Sequence, residues 1–139
     1  MLSRDRDAFT SIASSLWPYS FLSDLDSEFK RLIDDDRSVC FIKYQDQSPA
    51  GIIICRVQSS AENKSGPGKA VIDSLYIIDK YRSLGFENEL MNECEKWAKD
   101  RECTVLETEC EFDDDERLDL CQSLGFTEKK RIVRLNKII

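Results

Sequence analysis

Four acidic side chains lie on or beside predicted strands, where their carboxylates could bind a cation or take up a proton. Asp73 interrupts the apolar run AVIDSLYII at residues 70–78, and Glu107, Glu109 and Glu111 recur at every second position further along the chain. A strand turns successive side chains to opposite faces, so the three glutamates are expected on one face. That face is either a binding surface for a cationic amine or an ordinary solvated sheet edge, and the residues alone leave both interpretations open.

The segment YRSLGFENEL, residues 81–90, has the residue types of a turn that binds a phosphate. It follows an apolar strand and leads into a predicted helix, so backbone N–H groups and the positive end of the helix dipole face the same point. Arg82 and Gly85 suit such a turn, whereas Glu87 places a carboxylate where an anion would sit. The segment is therefore a working anion site, the remains of one, or an ordinary helix start.

The residue types also exclude several kinds of catalysis. The chain has no histidine, which excludes Ser-His-Asp and Cys-His catalysis within one chain, and His-ligated metals. The six cysteines include no C-x-x-C pair and fall mostly at apolar positions, which predicts reduced thiols that pack as small hydrophobic groups. The acidic run at 113–115 lacks the glycine and the spacing of a calcium loop. No metal site is predicted.

Length and charge are those of a globular protein. A chain of 139 residues is most simply one domain, 1–139. Its net charge of −7 argues against nucleic acid as a partner and suits a cationic ligand or a basic protein, although it also serves solubility. No apolar run approaches the roughly 20 residues that span a bilayer, and the first residues lack the apolar core of a signal peptide. We therefore expect no membrane association and a cytoplasmic location.

Apolar periodicity predicts four helices. The first covers residues 4–17, with Phe9 and Ile12 on its buried face, and Pro18 ends it. The second carries Leu22 to Ile33 and closes at an acidic run. The third follows the turn, and the fourth covers residues 112–126 with Gly125 beyond its last turn. The stripe predicted for the third helix consists of Phe86, Leu90, Cys94 and Trp97, with Met91 and Ala98 beside it.

Five strands are predicted between and after these helices. Residues 38–44 and 51–57 form a hairpin joined by QDQSPA, and symmetry about that turn would place Cys40 opposite Cys55. Residues 70–78 are apolar on both faces and hence central in the sheet. Residues 103–109 and the segment KRIVRLNKII complete the set. The element order is α-α-β-β-β-α-β-α-β, which predicts a mixed three-layer α/β fold.

In this order the chain resembles the GCN5-related N-acetyltransferase (GNAT) superfamily, and within it the aminoglycoside 6′-N-acetyltransferases. The resemblance covers nearly the whole chain and implies a mixed, mostly antiparallel central sheet flanked by helices. It also implies transfer of an acetyl group from acetyl-CoA to a primary amine without a metal. The residues that carry it are LWP at 16–18, AVIDSLYIIDKYR at 70–82, CEKWAKDREC at 94–103, ETECEFDDD at 107–115 and LGFTEKKRIVRL at 124–135.

The resemblance implies a role for each matching residue on the cofactor side. Backbone N–H groups of the strand before the turn would hold the thioester oxygen, which is oxyanion-type stabilisation. The turn would hold the pyrophosphate, and the start of the fourth helix would accommodate the pantetheine arm. The residues at these positions are Leu75, Tyr76 and Ile77 on the strand, Arg82, Ser83, Leu84, Gly85, Phe86 and Glu87 in the turn, and Asp114 and Arg117 at the helix.

On the amine side, the resemblance matches Asp73 and Glu109 to acidic positions of the family. Either carboxylate would bind the amine or act as the base. Trp17 matches a tryptophan that can line the amine pocket, and Glu111 extends the acidic surface. Cys121 stands where the family places a tyrosine that protonates the leaving thiolate, and its other interpretation is a helix core residue.

Several positions depart from the family pattern. Glu87 replaces a small residue of the turn, Asp114 and Arg117 replace an asparagine and a small alanine, and Lys130 replaces a glutamate common in the aminoglycoside enzymes. A carboxylate at Glu87 would repel the pyrophosphate. Because Glu87 and Arg117 are opposite in charge, we also expect that the two side chains could pair and plug the CoA slot.

Two functions follow from these residues. The first is an N-acetyltransferase with weakened or lost cofactor binding, and the second is a non-catalytic GNAT-fold module that binds a cationic ligand or a protein through its acidic cleft. Family members usually open with a strand before the first helix, whereas only residues 1–3 precede it here, so an edge strand is expected to be missing. A homodimer that covers the exposed edge is compatible with the family.

Overall fold

The computed structural model describes residues 7–12, 22–58, 68–111 and 113–139. Contacts divide the chain into two compact units, Met1–Thr108 and Glu109–Ile139, and each is described by itself. The first unit holds the sheet and three helices. The second holds one helix and the segment that follows it.

A four-stranded sheet forms the centre of the first unit. Its strands are β1 (Ser38–Gln45), β2 (Ser48–Val57), β3 (Gly68–Ile77) and β4 (Cys103–Glu107), in the spatial order β1-β2-β3-β4. The pairs β1–β2 and β2–β3 are antiparallel, and β3–β4 is parallel. The predicted mixed, mostly antiparallel sheet and the central position of β3 are therefore confirmed.

The β1–β2 hairpin is tighter than predicted. Its turn consists of Asp46 and Gln47, both with positive φ (50° and 69°), instead of the six-residue loop. The two strands thus extend further, and their register shifts between Lys43 and Tyr44. As a result Cys40 lies opposite Ile54, so the predicted pairing of Cys40 with Cys55 is wrong. The error has a simple cause, because the turn is centred between Asp46 and Gln47 and not between Gln47 and Ser48, and the bulge offsets only part of that difference.

Two helices pack on one face of the sheet. The described part of α1 is residues 7–12, and α2 is Leu22–Asp34. The rings of Phe9 and Phe29 lie 5.0 Å apart between centroids. Burial of each such large side chain contributes about 1.5–3 kcal/mol, so this cluster anchors both helices to β2. Its buried members are Phe9, Ile12, Phe29, Leu32, Ile52 and Ile54.

The third helix, α3 (Phe86–Asp100), contacts all four strands. Its predicted stripe is confirmed, because Phe86, Leu90, Met91, Cys94, Trp97 and Ala98 are all buried. Gly51 on β2 allows a close approach here. A Cβ at Gly51 would lie 2.4 Å from Ile77 Cδ1 and 3.4 Å from Leu90 Cδ1, so a side chain there would displace the Ile77 side chain.

The second unit begins with an irregular segment and contains α4 (Asp115–Ser123), which is shorter than the predicted helix 112–126. Gly125, with φ 97°, ends it as predicted. Its N–H donates to the Gln122 carbonyl at 3.1 Å, and the Phe126 N–H donates to the Cys121 carbonyl at 3.0 Å. These two bonds define a Schellman motif, whose left-handed residue favours glycine.

The predicted last strand is wrong for the single chain. Residues 126–139 form neither helix nor strand. A strand needs a hydrogen-bonded neighbour, and apolar sequence alone does not supply one. The large apolar side chains of this segment lie in solvent: Ile132 is 61% exposed, and Val133, Leu135, Ile138 and Ile139 are at least 83% exposed.

Candidate functional site

The turn between β3 and α3 has the backbone form of an anion site. β3 ends at Ile77, a 3-10 turn covers Asp79–Tyr81, and α3 begins at Phe86. Ser83 and Gly85 both have positive φ, 67° and 81°. A Cβ at Gly85 would meet nothing within 4 Å, so glycine is favoured there by its φ and not by lack of space.

The N-terminus of α3 carries no side-chain cap bond among the described residues. The Glu89 N–H donates to the Gly85 carbonyl at 3.3 Å, which is the first bond of the helix. The earlier N–H groups of a helix have no intrahelical acceptor and point out of its end. In this turn they point toward the open space around Gly85, where an anion would find donors and the positive end of the helix dipole.

Side chains of the same turn oppose an anion. The guanidinium of Arg82 binds its own turn, since Nη2 lies 3.1 Å from Asp79 Oδ1 and Nε donates to the Ile77 carbonyl at 3.5 Å. Glu87 is half-buried in the first helical turn. Glu89, in the same turn, pairs with Lys43 at 2.9 Å. The backbone conformation therefore suits an anion, and a carboxylate in the first helical turn reduces the attraction for one.

Beside this turn, β3 separates from β4. The β3–β4 pairing ends at Val71 and Glu107, while the β2–β3 pairing continues to Ile77. The Ile78 N–H donates to Ala50 on β2 at 2.8 Å, so strand alternation directs the backbone groups of Ile77 and Leu75 away from β2. The predicted positions Leu75, Tyr76 and Ile77 thus lie on the part of β3 beyond its last pair with β4.

Asp73 lies at an irregularity of β3. The register with β2 shifts from Ile54–Ser74 to Cys55–Ile72, which leaves Asp73 between two paired positions. Its carboxylate pairs with Arg56, whose Nε lies 3.2 Å from Oδ2 and 3.3 Å from Oδ1. Both side chains are about 40% exposed. A carboxylate with this partner binds a substrate amine only in competition with Arg56.

The acidic strand is shorter than predicted. β4 ends at Glu107, so the alternation of Glu107, Glu109 and Glu111 on one face does not hold. Glu107 pairs with Lys69 of β3 at 3.1 Å. Glu109 lies in the second unit, where its carboxylate is 3.7 Å from Arg134. The prediction of a longer strand was wrong because a strand ends where its neighbour ceases to pair, and the spacing of residues in the sequence does not show where that happens.

Helix α4 carries the remaining predicted residues. The Asp114 side chain caps the helix by accepting from the Arg117 N–H at 3.0 Å. Cys121 is buried, and burial raises the pKa of its thiol while the Arg117 charge opposes the rise. A thiol with a raised pKa stays protonated at neutral pH, as a proton donor requires. Glu87 belongs to the first unit and Arg117 to the second, so their pairing stays a prediction.

Some predictions fall outside the described residues. Trp17 and the motif LWP at 16–18 do, and so do residues 1–6, where the first strand of the family was expected to be missing. In the described part of the chain, no helix is long and apolar enough to cross a membrane. Nor does any group of acidic or cysteine side chains in that part suit a metal ion.

The sequence analysis did not predict the basic partners of Asp73, Glu89 and Glu107. Arg56, Lys69 and Lys43 each bind a carboxylate on a neighbouring element. A signal exists for the first of them, because Arg56 ends the apolar run of β2 while Asp73 interrupts that of β3. Opposite charges on adjacent strands commonly form cross-strand pairs.

A four-stranded mixed sheet, a positive-φ turn at the end of its third strand and an uncapped helix after that turn define an acetyltransferase fold. A sequence model of the Acetyltransferase (GNAT) family matches residues 6–126. That span is most of the chain, so the chain belongs to this family.

Three similar proteins are aminoglycoside enzymes in name. An aminoglycoside N(6′)-acetyltransferase type 1 of Acinetobacter genomosp. 13 is 27% identical over 129 residues, which cover 89% of this chain and 86% of the relative. The structure of AAC(6′)-Ih from Acinetobacter baumannii has a TM-score of 0.85 at 23% identity and covers 99% of this chain and 95% of that one. AAC(6′)-Iy in complex with CoA has a TM-score of 0.88 at 15% identity, with coverage of 99% and 91%.

Proposed function

We propose that this protein is an N-acetyltransferase that uses acetyl-CoA to acetylate a primary amine of an aminoglycoside-like polycation. The observation that carries the proposal is the turn after β3, where Ser83 and Gly85 hold positive φ before an uncapped helix. Family membership supports the reaction, and the names of the curated relatives support the substrate class. The net charge of −7 suits a cationic substrate.

Bound acetyl-CoA would supply a thioester carbonyl for attack by the amine. The chain's own groups would do the rest. N–H groups from the turn and the first turn of α3 would bind the pyrophosphate. The backbone of Leu75 and Ile77, beyond the β4 pairing, would orient the carbonyl and stabilise charge on its oxygen.

Proton transfer would use a carboxylate and a thiol. Asp73 or Glu109 would accept the proton of the ammonium group before attack, as general bases. A thiol of ordinary pKa is protonated at neutral pH, burial raises the pKa of Cys121 further, and this thiol would donate to the leaving sulfur. Trp17 and Glu111 would line the amine pocket. These roles follow the resemblance residue by residue.

We further propose that acetyl-CoA binds more weakly than to relatives with a small residue at the Glu87 position. Two like charges about 4 Å apart repel by about 1 kcal/mol in water and about 4 kcal/mol near a protein surface. Arg82 adds little attraction while it is held by Asp79. A loss of 1.4 kcal/mol is about tenfold in affinity.

Calorimetry with acetyl-CoA, together with thiol release in the presence of a kanamycin-like aminoglycoside or a polyamine, tests the proposal. We expect binding, turnover, and about tenfold tighter binding by Glu87→Gln, which removes the charge but keeps the side-chain size. Glu95→Gln is the matched control, because Glu95 is also half-buried on α3. A folded sample that neither binds acetyl-CoA nor releases thiol would refute the enzyme proposal.

One observation favours a second candidate, a non-catalytic module that binds a cationic ligand or a basic protein. Two side chains near the turn disfavour an anion. Arg82 is paired with Asp79, and Glu87 places a carboxylate in the first turn of α3. If this candidate is correct, calorimetry will detect a polyamine or an aminoglycoside but no acetyl-CoA. Substitution of both Glu87→Gly and Arg117→Ala would then restore cofactor binding if the two side chains plug the slot.

A further inference from the structure

Lys43 on β1 is a basic side chain that reaches the start of α3 from a neighbouring element. Its ammonium nitrogen lies 2.9 Å from a carboxylate oxygen of Glu89 and 4.9 Å from the centre of the Phe86 ring. Both contacts are with the first turn of α3, which begins at Phe86. A cation within about 6 Å of a ring centre is attracted to the face of that ring. Two separate attractions therefore hold this ammonium beside the turn that is proposed to bind the cofactor.

The sheet directs Lys43 toward α3. Lys43 lies opposite Gly51 in the β1–β2 pairing, and residues directly opposite each other in an antiparallel pair have their side chains on the same face. That face is the one that α3 covers, since a Cβ at Gly51 would lie 3.4 Å from Leu90 Cδ1. Only 29% of the Lys43 side chain is exposed, which is low for a lysine. The lysine is thus held between the sheet and the helix.

The first turn of α3 carries two carboxylates, Glu87 and Glu89. Both disfavour an anion at this end of the helix, and their repulsions add. The Lys43 ammonium offsets one of them because it is in direct contact with Glu89. The contact also holds the Glu89 carboxylate on the β1 side of the helix. Glu87 is then the carboxylate of this turn that Lys43 does not offset.

We propose that Lys43 is a positioning residue for the cofactor, which neutralises and orients Glu89 so that the end of α3 can bind the pyrophosphate of acetyl-CoA. Lys43 acts through Glu89 and is assigned no contact with the cofactor itself. The inference rests on the proposed function, because it concerns the same anion site. It explains how a helix that begins with two glutamates can still attract an anion.

Calorimetry with acetyl-CoA at low ionic strength tests the proposal with a set of charge variants. Lys43→Met keeps an unbranched side chain but removes the charge, and it should weaken binding by about fivefold because Glu89 is no longer offset. Glu89→Gln should tighten binding by about fivefold for the same electrostatic reason. The double variant, which lacks both charges, should return to within about twofold of the native affinity. Lys43→Arg keeps the charge and should also stay within about twofold.

Salt separates an effect of charge from an effect of packing. At about 1 M salt the Debye length is about 3 Å, so the affinities of these variants should differ by less than about twofold. Lys69→Met is the matched control, because Lys69 pairs with Glu107 at 3.1 Å and its side chain is 23% exposed. Lys69 lies at the opposite end of β3 from the turn, so this variant should leave the affinity within about twofold of the native value at either salt concentration.

Three results with acetyl-CoA would overturn the proposal. Native affinity in Lys43→Met would show that Glu89 needs no compensation. A loss that persists in the double variant and at high salt would show that Lys43 supports the packing of α3, and urea unfolding would then show a matching loss of stability. An equal loss in Lys69→Met would assign the effect to the net charge of the whole chain.

A second probe distinguishes failure of this inference from failure of the proposed function. NMR titration with inorganic pyrophosphate follows the amides of residues 85–89 and measures weak binding at the turn. If the native chain binds pyrophosphate there but does not bind acetyl-CoA, the proposed function is wrong, and the same variants titrated with pyrophosphate decide the role of Lys43. If these amides respond to neither ligand, both proposals are wrong.

Discussion

The N-termini of α3 and α4 occupy the two positions where the family is expected to hold its cofactor, and they are built differently. α4 is capped by Asp114, whose carboxylate accepts from the Arg117 N–H at 3.0 Å. α3 starts at Gly85 with no side-chain cap bond among the described residues. A capped terminus has used a donor that an anion would need, whereas an uncapped one keeps its donors. Of the two helices, α3 therefore keeps the N–H donors that an anion would need, and α4 has used one of them.

Both termini carry acidic side chains in the first turn, Glu87 and Glu89 on α3 and Asp115 and Glu116 on α4. Such charges stabilise a helix by about 0.3–1 kcal/mol each through its dipole. Acidity alone therefore does not tell a binding site from a stable helix. The backbone does, because positive φ at Ser83, which is not a glycine, has a cost that capping does not require.

The largest expected effect comes from the two positive-φ glycines. Gly85→Ala and Gly125→Ala each place a Cβ on a left-handed residue, where open space gives no relief from backbone strain. Both variants should lose about 1–2 kcal/mol of stability in urea unfolding. Only Gly85→Ala should also weaken acetyl-CoA binding, by about tenfold, which is the effect of one disturbed anion contact worth about 1.4 kcal/mol. Equal losses of binding in the two variants would contradict the difference between the two helix ends.

The next effect concerns the cap of α4. Asp114→Ala should destabilise the protein by about 0.5–2 kcal/mol, because the Arg117 N–H loses its acceptor. Asp114→Asn keeps an acceptor oxygen, so its loss of stability should be only a few tenths of the loss in Asp114→Ala. Urea unfolding and acetyl-CoA calorimetry on both variants separate stability from binding. If Asp114→Ala improves binding without a loss of stability, Asp114 acts on the cofactor and not as a cap.

The elements were predictable from the sequence where burial follows a simple period. The stripe of α3 from Phe86 to Trp97 and the central strand β3 are such cases, because each repeats with the spacing of its element. Gly125 was predictable because a helix end followed by glycine has a known local geometry. Local chemistry thus gave most of the fold.

The predictions were wrong where the structure depends on contacts with another element of the chain. The register around Cys40 and Cys55 depends on the position of the turn and on the bulge beside it, and the end of β4 at Glu107 depends on where β3 stops pairing. The segment after Gly125 has strand-forming residues but no strand within the single chain. The ion pair of Asp73 was missed for the same reason, since its partner Arg56 lies on the neighbouring strand β2.

A smaller effect tests whether Arg82 is withheld from the anion. Asp79→Asn removes the carboxylate that lies 3.1 Å from the Arg82 guanidinium. Because an exposed pair of this kind is worth about 0.2–1 kcal/mol, its release should tighten acetyl-CoA binding by about threefold. Glu93→Gln breaks a comparable pair with Lys96 further along α3, at 3.8 Å, and should leave binding unchanged. Identical calorimetric affinities for the two variants would show that Asp79 does not restrain Arg82.

The smallest effect concerns the pH dependence of α4, whose buried Cys121 has a raised pKa because burial disfavours the thiolate. The folded pKa lies above the unfolded one, so the thiol's contribution to stability is complete below the unfolded pKa and is lost as pH rises. At the pH where the unfolded thiol is half ionised, near 8.5, the loss is about 0.4 kcal/mol, or RT ln 2. Similar thiols at Cys55 and Cys103 add to the slope. A hydrogen bond with Cys94 and burial raise the pKa of Cys55, and burial raises the pKa of Cys103.

Urea unfolding between pH 7 and 9.5 should therefore show a shallower alkaline loss of stability for Cys121→Ala than for the native chain, with Cys110→Ala, at an exposed cysteine, as the control. An unchanged slope in Cys121→Ala would show that this thiol ionises as readily in the folded chain as in the unfolded one, and that burial does not raise its pKa.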